Sequence, residues 1–437
     1  MSFFRILGDA ELAGTFTPAG NKNAALPVLA GALLAREKVR VENVPDIGDV
    51  RTLLSILESL GVDVAWVAPN VVELNAAAVD EGVHLDPRLA SLIRGSVLLA
   101  GPMLARFGRI ELPQPGGDFI GRRRLDTHFL ALRALGAEVE MGNGYILRAA
   151  GLAGTDIFLD EPSVTGTENA ILAAVTAPGT TQLRNAASEP HVQDLCAFLS
   201  GLGGRIDGVG TNHLTIEGVD ALGGGTYRLS PDHIEVGSVI GLAAATGSNL
   251  RIADVEPRWF DPLRIGFQRL GVEFEWRDGE LLVLGTGELE IQPDVGGQIP
   301  KIDDGPWPAF PADLISIALV AATQCRGTVL IHEKMFESRL FFVDKVVAMG
   351  ARIVLCDPHR AVVVGPSCLH GGPLESPDIR AGMAMVIAAL AAEGESRIQN
   401  VRQIDRGYER IDERLRALGA RIERVALDDD GAHAAPA

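Results

Sequence analysis

Four stretches of this sequence combine residue types that could do chemistry on an anion. Asn21-Lys22-Asn23-Ala24-Ala25-Leu26-Pro27 sets a lysine just ahead of an apolar, helix-like run. A lysine there adds its charge to the open amides and dipole of a helix N-terminus, which makes an anion site. Taken alone, it also reads as a surface lysine beside a cap. Gly116 to His128 carries glycines for mobility, Asp118, and Arg122-Arg123-Arg124 ahead of a second helix. Guanidinium forks suit phosphate and carboxylate. A solvated basic turn is the bland alternative, but here the cluster lies between glycines and apolar residues in an acidic protein. Asp313 closes Pro308-Ala309-Phe310-Pro311-Ala312-Asp313 before an apolar run. It reads first as a helix N-cap, and pattern alone does not separate a cap from a general base. Glu337-Ser338-Arg339, Asp378-Ile379-Arg380 and Asp405-Arg406-Gly407-Tyr408 each put an arginine near a carboxylate at the expected start of a helix. Singly these are caps or ion pairs. Three such helix starts directed at one cleft would hold a multiply charged anion.

Other chemistries lack their signatures. There is no P-loop, no Rossmann glycine fingerprint, no HExxH and no nucleophile elbow. Histidines are few and scattered, so neither a metal nor a cofactor is expected. A net charge of -18 argues against nucleic acid or an anionic membrane as partner. The four cysteines, Cys196, Cys325, Cys356 and Cys368, lack CxxC spacing; they fit a reducing cytosol and are expected to be buried thiols. The start, Met1-Ser2-Phe3-Phe4-Arg5, does not read as a signal peptide, and apolar runs such as Ala381 to Ala392 are too short for a bilayer. A cytoplasmic protein is the expectation. The acidic, then small-residue tail, 428–437, is expected to be disordered.

The positioning elements show as a repeat. A helix-like stretch ending in Leu/Met-Gly-small occurs six times, with glycines at 61, 136, 203, 271, 350 and 419. Each glycine stands where a helix stops and the chain reverses, a place that favours positive φ. The helices before them are amphipathic: Leu53, Ile56, Leu57 and Leu60 share a face, as do Ile411, Leu415 and Leu418. A second helix type also recurs six times, rich in small apolar residues and without a polar face, as in Leu26 to Ala35, Ala170 to Thr176 and Met385 to Ala392. These should be fully buried. Six such units in 437 residues suggest two similar α/β domains of three units each, with buried helices wrapped by sheets.

Gly20-Asn21-Lys22-Asn23-Ala24-Ala25-Leu26-Pro27, Pro308 to Asp313, and Ile404-Asp405-Arg406-Gly407-Tyr408-Glu409-Arg410 resemble the UDP-N-acetylglucosamine 1-carboxyvinyltransferases, siblings of 5-enolpyruvylshikimate-3-phosphate synthase. The likeness runs from about Leu7 to Val425. It implies an inside-out α/β barrel of two domains, each three βαβαββ units, with hinges near 21–22 and 229–230. One domain would be 22–229 and the other 1–21 with 230–437. It further implies transfer of enolpyruvyl from phosphoenolpyruvate to UDP-N-acetylglucosamine, the first committed step towards peptidoglycan, in a cleft that closes on the nucleotide sugar. Lys22, Arg123 and Arg406 would hold the phosphate of phosphoenolpyruvate, and Arg339 and Arg380 its carboxylate. Asn23 and Arg94 would position the two substrates. Arg123, Arg124, Leu125, Asp126, Thr127, Ser163, Val164 and Met335 would line the uridine diphosphate pocket. Asp313 would take the proton of the acceptor hydroxyl, and Asp378 would lie near the reacting carbons.

Three departures from the family pattern matter. Asp118 stands where the family commonly has the cysteine that acts as acid at C3 and is alkylated by fosfomycin. Glu161 stands where a diphosphate-binding lysine is frequent, and Arg124-Leu125 replaces a proline-valine, an extra arginine that could compensate. His233 and Trp307 also replace commoner residues. The alternatives are enolpyruvyl transfer to another uridine nucleotide such as UMP, or a catalytically silent nucleotide-sugar-binding relative.

Overall fold

The computed structural model describes residues 2–80, 84–118 and 120–426, so the expectation for the 428–437 tail lies outside the described residues. The chain forms two compact α/β units. The first comprises Ala19–His233 and Gly305–Ala309; the second comprises Met1–Pro18, Ile234–Asp304 and Phe310–Ala437.

Each unit repeats one motif, shown by residues 156–217 of the first. Strand Asp156–Phe158 leads into helix Val164–Ala174, strand Thr180–Arg184, helix Pro190–Gly201 and the hairpin Arg205–Asp207/His213–Glu217. Thr180–Arg184 pairs parallel with Asp156–Phe158 and antiparallel with His213–Glu217. This is a βαβαββ unit. Some repeats borrow a strand from a distant part of the chain. Gly225–Arg228 supplies the parallel partner of Val39–Glu42, and Thr15–Phe16 that of Asn249–Ile252. Ser2–Leu7 is central in its sheet, antiparallel to both Glu395–Gln399 and Arg421–Ala426. Among the described residues, the sheet of Arg109–Leu112, Gly144–Arg148 and Glu138–Gly142 has three strands and the other five have four.

The helices without a polar face are the core, as expected. In Ile315–Ala322 every residue is buried, and so is Ile379 to Leu390 of helix Ile379–Ala391. In the first unit the same holds for Gly166 to Ala174 and for Lys22–Gly31 apart from Asn23. Burying each leucine-sized side chain contributes about 1.5–3 kcal/mol, so such helices are stable only inside. The second helix type lies over them: Leu53, Ile56, Leu57 and Leu60 are all inaccessible to solvent. The architecture is thus the inside-out arrangement, helices inside and sheets outside, in each unit.

The six glycine markers end their helices identically. The Gly61 amide donates to the Glu58 carbonyl and the Val62 amide to that of Leu57, and the same pair of bonds recurs at Gly136, Gly203, Gly271, Gly350 and Gly419. All six glycines have positive φ, between 85° and 113°. This is the Schellman closure, in which a side chain at the left-handed position costs about 1 kcal/mol. It turns each chain directly into the following strand.

Candidate active site

In the second unit, three predicted residues meet. Asp313 lies in the short turn Ala312–Leu314, whose N-cap is Pro311, so the aspartate does not cap as its pattern suggested. Instead its carboxylate accepts from Arg339 Nη2 at 2.8 Å and from Arg380 Nε at 3.0 Å. Both arginines are buried, while Asp313 keeps 26% of its side chain exposed. Burial works to lower the Arg339 pKa, but the acids around it, Asp313 foremost, outweigh it, so the guanidinium stays charged. The Arg339 guanidinium lies over the Phe336 ring and that of Arg380 over Tyr408. Asp378 is the N-cap of helix Ile379–Ala391; one oxygen accepts the amides of Arg380 and Ala381 at 2.8 and 2.9 Å. The cap fixes the backbone from which Arg380 reaches Asp313.

Met335 lies on a turn whose amides, with that of Phe336, are held by Glu333 Oε1. Arg406 corrects one expectation. It follows the short helix Arg402–Asp405 instead of starting a helix, and it donates to Gln403 Oε1 at 2.8 Å. Asp405 belongs to Arg424, which binds it through two nitrogens and also reaches Asp412.

In the first unit, Lys22 opens helix Lys22–Gly31. The Asn21 side chain caps that helix by accepting the amides of Asn23 and Ala24. Lys22 is not a surface residue: it is 7% exposed, and its Nζ pairs with Asp49 Oδ2 at 3.0 Å. Asn21 Nδ2 donates to His233 Nδ1 at 3.1 Å.

The loop set is built differently. Arg94 Nη2 donates to the carbonyls of Arg123 and Arg124 at 2.9 and 3.0 Å. Burial, with help from Arg123, lowers its pKa to about 10. Gly117, with φ 102°, passes so close that an added Cβ would lie 2.9 Å from the Arg94 Cβ. Asp118 and Arg123 are half-buried on this loop. Arg124 is exposed and pairs with Asp126 and Asp160. Thr127 Oγ1 donates to Asp160 at 2.7 Å and lies 3.3 Å from Glu161 Oε1. Leu125 is buried at the N-terminus of helix Asp126–Ala134. Ser163 caps helix Val164–Ala174, its Oγ accepting the Gly166 amide. Beneath, His128 Nδ1 accepts from Asn169 Nδ2, so Nε2 carries the proton and donates to Thr165 Oγ1. Burial, then Arg94 and Arg123, lowers the His128 pKa to about 3.

Several acids were not singled out by sequence. Asp49 pairs with Lys22. Glu168 lies inside the buried helix Val164–Ala174 with both carboxyl oxygens lacking a hydrogen-bond partner, and burial, then Glu189, raises its pKa well above the usual carboxyl range. An acid opening the apolar run Ala170 to Val175 was the available signal. Asp304 and Glu333 are also buried.

The cysteine expectation holds for two of four. Cys196 and Cys325 are buried, with burial raising both pKa values to about 12. Cys356 and Cys368 are exposed, because they lie on a sheet's outer strand and beside a surface turn. Among the described residues one trio could hold a metal, the exposed Cys368, His370 and Glu393; none belongs to the predicted site. No helix of the described residues is long and apolar enough to cross a membrane.

Residues 6–415 match the EPSP synthase (3-phosphoshikimate 1-carboxyvinyltransferase) family. The fold is shared with the enolpyruvyl transferase NikO from Streptomyces tendae, with a TM-score of 0.86 at 24% identity over 98% of this chain and 99% of that one. An EPSP synthase from Acinetobacter baumannii gives 0.74 at 17% identity, over 98% and 100%. The chain belongs to the EPSP synthase family. Among its relatives are UDP-N-acetylglucosamine 1-carboxyvinyltransferases from Bradyrhizobium diazoefficiens, 58% identical over 96% of this chain and 97% of the relative, and from Treponema denticola, 56% identical over 97% and 99%. It belongs with them to that branch of the family.

Proposed function

We propose that this chain is a transferase that moves the enolpyruvyl group of phosphoenolpyruvate to the 3-hydroxyl of UDP-N-acetylglucosamine, releasing phosphate. The observation that carries the reading is Asp313, a half-buried carboxylate gripped by two buried guanidiniums. The acceptor oxygen adds to C2 while C3 gains a proton, and the tetrahedral adduct then expels phosphate. Asp313 takes the hydroxyl proton; Arg339 and Arg380 hold the carboxylate of phosphoenolpyruvate. Lys22, Arg123 and Arg406 take the phosphate and stabilise its departure, with Asn23 and Arg94 orienting the substrates. Asp118 is the acid at C3, and Asp378 lies near the reacting carbons. Arg123, Arg124, Leu125, Asp126, Thr127, Ser163, Val164 and Met335 receive the uridine diphosphate.

The domains of this reading are 22–229 and 1–21 with 230–437, and its setting is peptidoglycan precursor synthesis in the cytoplasm. No cofactor is required. The test is incubation with phosphoenolpyruvate and either UDP-N-acetylglucosamine or UMP, following phosphate and the vinyl ether product. Turnover with the sugar nucleotide supports the reading. Turnover with UMP alone moves the chain to the alternative acceptor, and binding without turnover between pH 5 and 10 makes it a silent relative. Because residue 118 is an aspartate, fosfomycin should leave no covalent adduct there by mass spectrometry.

A further inference from the structure

Two acids end neighbouring parallel strands of the second unit. Lys301–Asp303 runs alongside Gly327–His332 with Asp303 opposite His332, so the next residues, Asp304 and Glu333, emerge together. They are 1% and 0% exposed. One oxygen of each is used: Asp304 Oδ1 accepts the Lys334 amide, and Glu333 Oε1 accepts those of Met335 and Phe336. The other two, Asp304 Oδ2 and Glu333 Oε2, are buried with no hydrogen-bond donor among the heavy atoms around them. Glu333 Oε2 lies 3.7 Å from Arg339 Nε, a long ion-pair contact but no hydrogen bond. Two carboxylates cannot both stay ionised in such a place. One proton between them supplies the donor that both oxygens lack and leaves a single negative charge.

We propose that Asp304 and Glu333 share one proton, carried on Glu333, and that the pair is a positioning device for Arg339. An ionised Glu333 would compete with Asp313 for that guanidinium. A neutral Glu333 holds the Met335 turn without drawing the charge away, leaving Arg339 to Asp313 and, on the function proposed above, to the carboxylate of phosphoenolpyruvate. The other groups facing the pair fit this assignment. Lys334 directs its ammonium to Asp303, His359 Nδ1 donates to the Glu333 carbonyl, and Asp378 and Arg380 also act on Arg339. Burial, then the hydrogen bond with Asp304, raises the Glu333 pKa to about 9 from an ordinary 4.5.

The two amide variants separate this from a merely structural role. In Glu333→Gln, the new amide donates to Asp304 Oδ2, and residue 333 presents no charge to Arg339. KM for phosphoenolpyruvate should stay within about twofold of the parent at pH 7.5, and any rise in KM above about pH 9 should disappear. In Asp304→Asn, the new amide donates to Glu333 and shifts it towards the ionised form. KM for phosphoenolpyruvate should rise about fivefold or more at pH 7.5, with a smaller change in kcat. Equal effects of the two variants, or a larger effect of Glu333→Gln, would overturn the proposal. A substrate-free measurement guards against failure of the functional reading itself. An acid whose pKa is raised on folding adds stability that is complete below 4.5 and is lost as pH rises towards about 9. Thermal unfolding of the parent should therefore show that loss between pH 5 and 9, and Glu333→Gln should flatten it. An unchanged slope in Glu333→Gln rejects the shared proton whether or not the protein turns over.

Discussion

Arg339 and Arg380 of the second unit and Arg94 of the first are held in opposite ways. In the second unit, Arg339 and Arg380 are buried and anchored by a charged partner, Asp313. In the first, Arg94 spends its guanidinium on the carbonyls of Arg123 and Arg124, and the loop arginines stay half-buried or exposed. Guanidiniums out of water need a counter-charge, because removing it leaves an uncompensated ion. Neutral carbonyls fix a loop's shape without adding a counter-charge. The first arrangement favours a fixed reacting centre; the second favours a surface that conforms to a larger substrate.

The largest effect should come from removing the charged anchor. Asp313→Asn should lower kcat by about 10²- to 10⁴-fold in the phosphate-release assay, as expected for loss of a general base. If kcat held and only KM rose, Asp313 would be a holder of arginines and the contrast would collapse. Arg94→Ala comes next. Freeing two carbonyls should raise KM for the nucleotide sugar by about ten- to a hundredfold, and KM for phosphoenolpyruvate by less, through the displaced Arg123. A larger rise for phosphoenolpyruvate than for the nucleotide sugar would show that the loop serves chiefly the donor. Glu161→Lys should have the smallest effect. Replacing a carboxylate beside Thr127 with an ammonium should lower KM for the nucleotide by about two- to fivefold. An increase would show that the Asp160, Glu161 and Arg124 balance already suits a diphosphate.

Much of the fold was legible because its signals are local. A glycine after an amphipathic helix needs only the preceding turn to fix its left-handed conformation, and all six markers adopt it. Helices with no polar face have nowhere stable but the interior. The candidate site was legible only by residue type. Asp313 looked like a cap because capping and bridging aspartates share the same sequence neighbourhood; which it does depends on Arg339 and Arg380, 26 and 67 residues away. Asp405 looked like a partner for adjacent Arg406, yet Arg424 claims it from the strand Arg421–Ala426. The Asp304–Glu333 pair depends on strand register, which composition does not encode.

The ion pair between Lys22 and Asp49 has a consequence for selectivity. A lysine with a resident carboxylate at 3.0 Å, both nearly sealed from water, is no indiscriminate trap for passing anions. Chloride or a lone carboxylate offers too little to displace Asp49, whereas a dianion with several acceptor oxygens can share the ammonium with it. On the proposed function, the aspartate would act as a threshold that admits only visitors of sufficient charge density.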